Sequence, residues 1–128
     1  MIIYVPKGAR VFIVEDNQER IDWFQKKLEP IVSMLAITKD PDKAIVYLGA
    51  YEDFDAVFLD HDLGIPGFEP TIRSTVIWMA ANIPDLRRWS RCVVIHSWNE
   101  PGAAWMRQAL PGATVAPFGS FDIKEQRW

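Results

Sequence analysis

Short apolar runs alternate with helix-like segments along the whole chain. RVFIV (Arg10 to Val14) is a β-rich run closed by the acidic Glu15-Asp16-Asn17. In QERIDWFQKKL, Ile21, Phe24 and Leu28 recur at helical spacing, Asn17 is placed to cap the helix and Pro30 ends it. VSMLAIT (Val32 to Thr38) reads as a second strand. DPDKAIVYL opens as an Asp-Pro helix start and closes at Gly49. DAVFL, RCVVI (Arg91 to Ile95) and the weaker ATVAPF (Ala113 to Phe118) read as strands three to five, with helical spacing in TIRSTVIWMAANI and EPGAAWMRQAL between them. The result is a βαβαβαβαβ alternation, which predicts a parallel sheet with right-handed crossovers and helices on both faces. No repeat or linker interrupts it.

In such sheets ligands bind at the carboxyl ends of the strands. Glu15, Asp16 and Asn17 follow strand one; Asp60, His61 and Asp62 follow strand three; His96, Ser97, Trp98 and Asn99 follow strand four. Both histidines of the chain are in this set. Charged side chains are seldom buried without partners, so this rim is where something is expected to bind.

Composition narrows the field. The 128 residues fit one domain spanning 1–128, and 49% apolar residues suffice for a core. A net charge of −3 argues against a broad grip on duplex DNA, although a local pocket for a small nucleotide or an RNA end is compatible with it. The single cysteine, Cys92, lies in the apolar CVVI run and excludes an intramolecular disulfide; it reads as a core residue. No signal-peptide pattern opens the chain and no run approaches the roughly 18 apolar residues of a membrane span. A cytoplasmic, membrane-free protein is expected.

VFIVEDNQERIDWFQKKL, DAVFLD and GATVAPF resemble the first strand, acidic pair and first helix, the phospho-acceptor strand and the last strand of response-regulator receiver domains. The resemblance implies a flavodoxin-like, doubly wound five-stranded parallel sheet. Three departures stand out. The Lys-Pro-Phe of receivers, whose lysine contacts the phosphoryl group, is here Ala116-Pro117-Phe118. Strand four is followed by His96-Ser97 where receivers place Ser or Thr. Too few residues follow Phe118 for the usual last helix, which is expected to be missing or truncated. Either Asp60, from the strand run before it, or Asp62, from DLGIPG, matches the phospho-acceptor. LDHDLG (Leu59 to Gly64) and HSWNEPG (His96 to Gly102) are similar to the motifs of a divergent branch, the cyclic-phosphate processing receivers. That resemblance implies action on 2′,3′-cyclic RNA ends or cyclic nucleotides.

Opening a cyclic phosphodiester needs an activated water, a proton for the leaving alkoxide and neutralisation of the phosphorane. Two histidines with ordinary pKa values of about 6.5 suit the first two roles, so His61 and His96 are the expected acid–base pair, with Asp60 and Asp62 beside them. The same groups are candidate metal ligands. Asp16, Asp60 and Glu15 would hold Mg²⁺ as in receivers, and histidine ligation would favour Mn²⁺ or Zn²⁺; a metal-free pair is the alternative. Ser97 and Asn99 suit phosphate oxygens, amides at the Pro101-Gly102 turn suit the same anion, and Trp98 suits a base. Against each stands a plainer role: a hydrogen-bonded rim histidine, a solvated acidic pair, a packing tryptophan such as Trp23, Trp78 or Trp105, and a solvated turn for Arg87, Arg88 and Arg91. Two other functions share these features, a binder that sequesters a cyclic nucleotide and a degenerate receiver serving as an interaction module. An apolar strip left by short helices would suit a homodimer.

Overall fold

The computed structural model describes residues 1–40, 43, 44, 46, 54–60, 93–98, 100–110 and 112–127. His61, Asp62, Asn99, Cys92, Trp78, Arg87, Arg88, Arg91 and the helix expected over 71–83 lie outside them. Along the described residues the elements follow one another as β1 (Ile2–Pro6), β2 (Arg10–Val14), α1 (Gln18–Leu28), β3 (Met34–Thr38), β4 (Ala56–Leu59), β5 (Val93–Ile95), α2 (Glu100–Ala109), β6 (Thr114–Val115) and β7 (Asp122–Gln126). Lys43, Ala44 and Val46 are also helical.

The main sheet has the order β3-β2-β4-β5-β6 and is parallel throughout. Its inner strands are short and, Arg10 aside, apolar, as expected where both faces are covered. Period-two alternation divides them between two cores. Phe12, Val14, Val57, Leu59, Val93 and Ile95 pack on one face with Ala44 and with Ala103 of α2. Val11, Ile13, Ala56, Phe58 and Val94 pack on the other with Phe24 and Leu28 of α1. Phe12, Phe24 and Phe58 are fully buried, and each such side chain contributes about 1.5–3 kcal/mol.

α1 begins and ends where its sequence directs. The Asn17 side chain accepts the Arg20 N–H at 3.1 Å, Glu19 lies in the first turn, and Lys26 and Lys27 lie in the last. Ile21, Phe24 and Leu28 form the buried face.

The ends of the chain hold an element the alternation does not announce. β1 and β7 pair in parallel as a separate two-stranded ribbon, with Ile3 opposite Ile123 and Val5 opposite Glu125. Val5, Phe121 and Ile123 enter the α1-side core, so the ribbon covers the face that a last helix would otherwise cover. No helix follows β6 among the described residues, as expected. Two glycine turns aim the ribbon. Gly8 (φ 80°) sits in the turn closed by Ala9 N–H to Pro6 O at 3.0 Å, and Gly119 (φ 91°) in the turn closed by Ser120 N–H to Pro117 O at 2.9 Å. Lys27 of α1 ties down the start of β7 through Asp122 at 2.9 Å.

Candidate functional site

The residue after each of three neighbouring strands is still held by the sheet's hydrogen-bond ladder. Glu15 N–H donates to Thr38 O at 3.0 Å, Asp60 N–H to Val14 O at 3.1 Å, and His96 N–H to Leu59 O at 3.0 Å. Val14, Leu59 and Ile95 are in register, so the next residues stand side by side. Those three belong to the α2-side core, and alternation therefore turns Glu15, Asp60 and His96 toward α1. One ligand atom from each lies within 4.8 Å of the others. All three are buried.

His96 Nε2 lies 3.3 Å from Glu15 Oε1, and the Phe24 ring packs edge-on against the imidazole at 5.3 Å. Nδ1 of His96 is buried and has no hydrogen-bond partner among the described residues. Glu15 Oε2 accepts the backbone N–H groups of Asp16 at 2.9 Å and Asn17 at 3.4 Å, and Arg20 Nη1 lies 3.4 Å from Oε1. A buried carboxylate with this many donors is well satisfied.

The electrostatics follow. Burial raises the pKa of Glu15, but hydrogen bonds with His96 and Asp60, the charge of a protonated His96 and the Asn17 N–H outweigh it and hold the carboxyl down to about 2. Burial pushes the His96 imidazole below its usual 6.5; Glu15 opposes this and the nearby Arg20 charge adds to it. An imidazolium cannot both be disfavoured here and be what lowers Glu15. The fully buried ring, with no acceptor for a proton on Nδ1 among the described residues, decides for the neutral form, in which Nε2–H donates to Glu15 and Nδ1 keeps its lone pair. Glu15 then owes its low value to the donors around it.

Of the residues expected at the rim, the structure brings together Glu15, Asp60 and His96. The solvated reading of the acidic pair fails for Glu15, which is 0% exposed. Asp16 is half-buried and stands outside the three-residue cluster. Ser97 is buried and borders a cavity of about 240 Å³ on the α2 side. Trp98 is 68% exposed, and its indole N–H donates to Phe118 O at 2.7 Å. Trp23 serves packing, edge-on to Phe24, Phe118 and Phe121 at 5.3, 5.2 and 5.7 Å. Arg20 is the site residue that the sequence reading passed over. Its only signal is a position in the first turn of a helix that starts directly after Glu15.

This arrangement is set on a receiver fold. The phosphorylated cyanobacterial phytochrome response regulator RcpA aligns with a TM-score of 0.62 at 21% identity, covering 85% of this chain and 80% of that one. The signal receiver domain of a putative Luxo repressor protein from Vibrio parahaemolyticus aligns at 0.56 and 19%, covering 91% and 78%. NtrX from Brucella abortus aligns at 0.54 and 18%, covering 94% of this chain and 24% of that one. No curated protein matches. Residues 9–112 match the profile of the cyclic-phosphate processing receiver domain, and the chain belongs to that family. Glu15, Asp60 and His96 lie inside the matched segment; β1 and β7 lie outside it.

Proposed function

We propose that the protein hydrolyses a cyclic phosphodiester, a 2′,3′-cyclic RNA end or a cyclic nucleotide, with His96 as general base. The observation that carries this reading is a buried imidazole whose Nδ1 has no partner among the described residues and whose other nitrogen is held by a buried carboxylate. Such a pairing fixes the tautomer and leaves one lone pair to take a proton. An unsatisfied buried polar atom costs roughly 1–3 kcal/mol, a cost that a functional role accounts for.

Substrate binding has to admit one water to Nδ1. His96 takes a proton from that water as its oxygen attacks phosphorus, and one ring P–O bond breaks. The leaving alkoxide takes a proton from His61, which follows Asp60 directly in the chain. The product is a phosphomonoester, and Glu15 stabilises the imidazolium formed on the way. Ser97 and Asn99 are the neutral groups for phosphate oxygens, and Trp98 is the surface for a base.

A second reading uses the same cluster as a metal centre, favoured by the closeness of the Glu15, Asp60 and His96 ligand atoms. Two carboxylates and an imidazole suit Mn²⁺ or Zn²⁺ better than the all-oxygen preference of Mg²⁺. The donor set fits such an ion, because a divalent cation would offset the charge of two buried carboxylates whose oxygens lie close to the imidazole. The bound ion would act as a Lewis acid on a phosphoryl oxygen. Asp16 would join only if its carboxyl turned inward.

The test is a turnover screen over 2′,3′-cyclic nucleotides, RNA with a cyclic end, and cyclic di- and trinucleotides, with Mg²⁺, with Mn²⁺ and with a chelator. Hydrolysis that is lost in both His61→Ala and His96→Ala is the expected result. Tight binding without turnover, surviving both substitutions, would leave a sequestering protein instead.

A further inference from the structure

A phosphodiester is an anion, and the cluster that would receive it is built from two carboxylates and a neutral imidazole. Positive charge has to come from elsewhere. β6 offers none at its end, where Ala116 is buried and Pro117 and Phe118 follow. Among the described residues, the cation set against the cluster is Arg20.

Its setting is specific. The backbone of Arg20 is fixed in the first turn of α1 by the Asn17 cap, at 3.1 Å. The guanidinium carbon lies 5.1 Å from the centre of the Phe118 ring and 5.9 Å from that of Trp98. Those two residues are tied together by the Trp98 N–H on Phe118 O, at 2.7 Å. Stacking of this kind holds a guanidinium in place without consuming its N–H groups. A guanidinium has five N–H donors, and among the described residues Glu15 Oε1 is the acceptor it meets. The side chain is 26% exposed, so it joins the buried cluster to the surface.

Beside it lies a cleft of about 420 Å³, lined by Trp98, Glu100, Pro117, Phe118, Gly119 and Ser120. Its volume is in the range of small-ligand sites, about 300–1,000 Å³. The exposed Trp98 ring lies in its wall, next to the Arg20 guanidinium.

We infer that Arg20, seated on Trp98 and Phe118, is the anion-binding residue of the site, and that the ligand is a nucleotide whose phosphate meets Arg20 while its base enters the cleft at Trp98. The inference rests on the cyclic-phosphate reading for the kind of anion, whereas the binding geometry stands without hydrolysis. Glu15 keeps one N–H of the guanidinium, and the phosphoryl oxygens take others. Arginine suits this role because its fork matches phosphate geometry while it remains charged at any working pH.

The experiment measures binding of the four 2′,3′-cyclic mononucleotides and the four parent nucleosides by calorimetry, alongside turnover, in wild type, Arg20→Gln, Arg20→Lys and Trp98→Ala. Arg20→Gln should weaken cyclic-nucleotide binding at least tenfold and leave nucleoside binding unchanged, a split that a merely structural role would not produce. Arg20→Lys should recover part of the loss, and it carries the test alone if the glutamine variant does not fold. Trp98→Ala should weaken nucleotide and nucleoside alike. Turnover by wild type with KM unchanged in Arg20→Gln and Arg20→Lys overturns the inference and leaves the hydrolase reading standing. Absence of turnover in wild type, with cyclic-nucleotide binding lost in Arg20→Gln, does the reverse. A wild type that binds none of the four cyclic nucleotides overturns the inference outright.

Discussion

At the imidazole of His96 two demands meet: Glu15 accepts a hydrogen bond from Nε2, and burial disfavours the charge that a second proton would bring. This sets a pH dependence whose sign can be worked out. The unfolded chain takes up protons at this histidine near 6.5 and at Glu15 near 4.5, whereas the folded protein takes them up lower at both. The unfolded state therefore binds more protons on acidification, and stability falls as the pH drops below about 6.5 and onward through the low value of Glu15, near 2. Urea denaturation in a chelating buffer between neutral pH and pH 4 should show this decline, and His96→Gln should flatten its upper part. Stability that rose on acidification would mean that His96 is buried charged. Glu15→Gln tests the same pair through the chemistry. A glutamine side-chain N–H facing Nε2 would favour the opposite tautomer and occupy Nδ1 with the proton, so turnover should fall by about 10²–10⁴. Recovery at high Mn²⁺ would instead point to the metal reading.

Among elements, the terminal ribbon matters most for stability, because it seals the α1-side core in place of a helix. Ile123 is buried between α1 and the sheet, and Ile123→Ala should cost about 2–5 kcal/mol by denaturant titration. Gly119 has nothing within 4 Å of where a Cβ would sit, so Gly119→Ala meets no clash. Its φ of 91° still strains an alanine, and the variant should lose about 1–2 kcal/mol. The aromatic group of Trp23, Phe24, Phe58, Phe118 and Phe121 links this ribbon to the site, since Phe24 touches the His96 ring and Phe118 carries Arg20. A loosened ribbon should therefore reduce ligand binding as well as stability.

For the whole molecule, the question is what compensates the buried carboxylates. If a divalent ion offsets their charge, Mn²⁺ should raise the thermal midpoint more than Mg²⁺ does, through a stabilisation of about 2.7 kcal/mol at a hundredfold excess over Kd. Asp60→Asn should remove that shift. An unchanged midpoint with Mn²⁺ or Zn²⁺ would leave the histidine–carboxylate pair to work alone. No helix among the described residues is long and apolar enough to cross a membrane.

Local pattern carried a good deal of this protein. The bounds of α1, its Asn17 cap and its buried Ile21, Phe24 and Leu28 follow from short-range spacing, and the structure repeats them. The inner strands were legible as apolar runs; the structure trims the edge strand β3 to Met34–Thr38, and the described part of RCVVI, Val93–Ile95, is β5. Their alternation with helices was enough for a parallel sheet, whereas the order β3-β2-β4-β5-β6 is read from the structure. What pattern did not decide was which rim residues meet. Asp16 and Glu15 are equivalent as letters, yet the register of Val14, Leu59 and Ile95 turns Glu15 toward His96 and leaves Asp16 outside the cluster. The partnership of Arg20 with Phe118, and the pairing of β1 with β7, join residues about a hundred positions apart. Such contacts have no local signature. They arise only when the sheet closes and an uncovered apolar face selects what will cover it, which is a property of the packed chain.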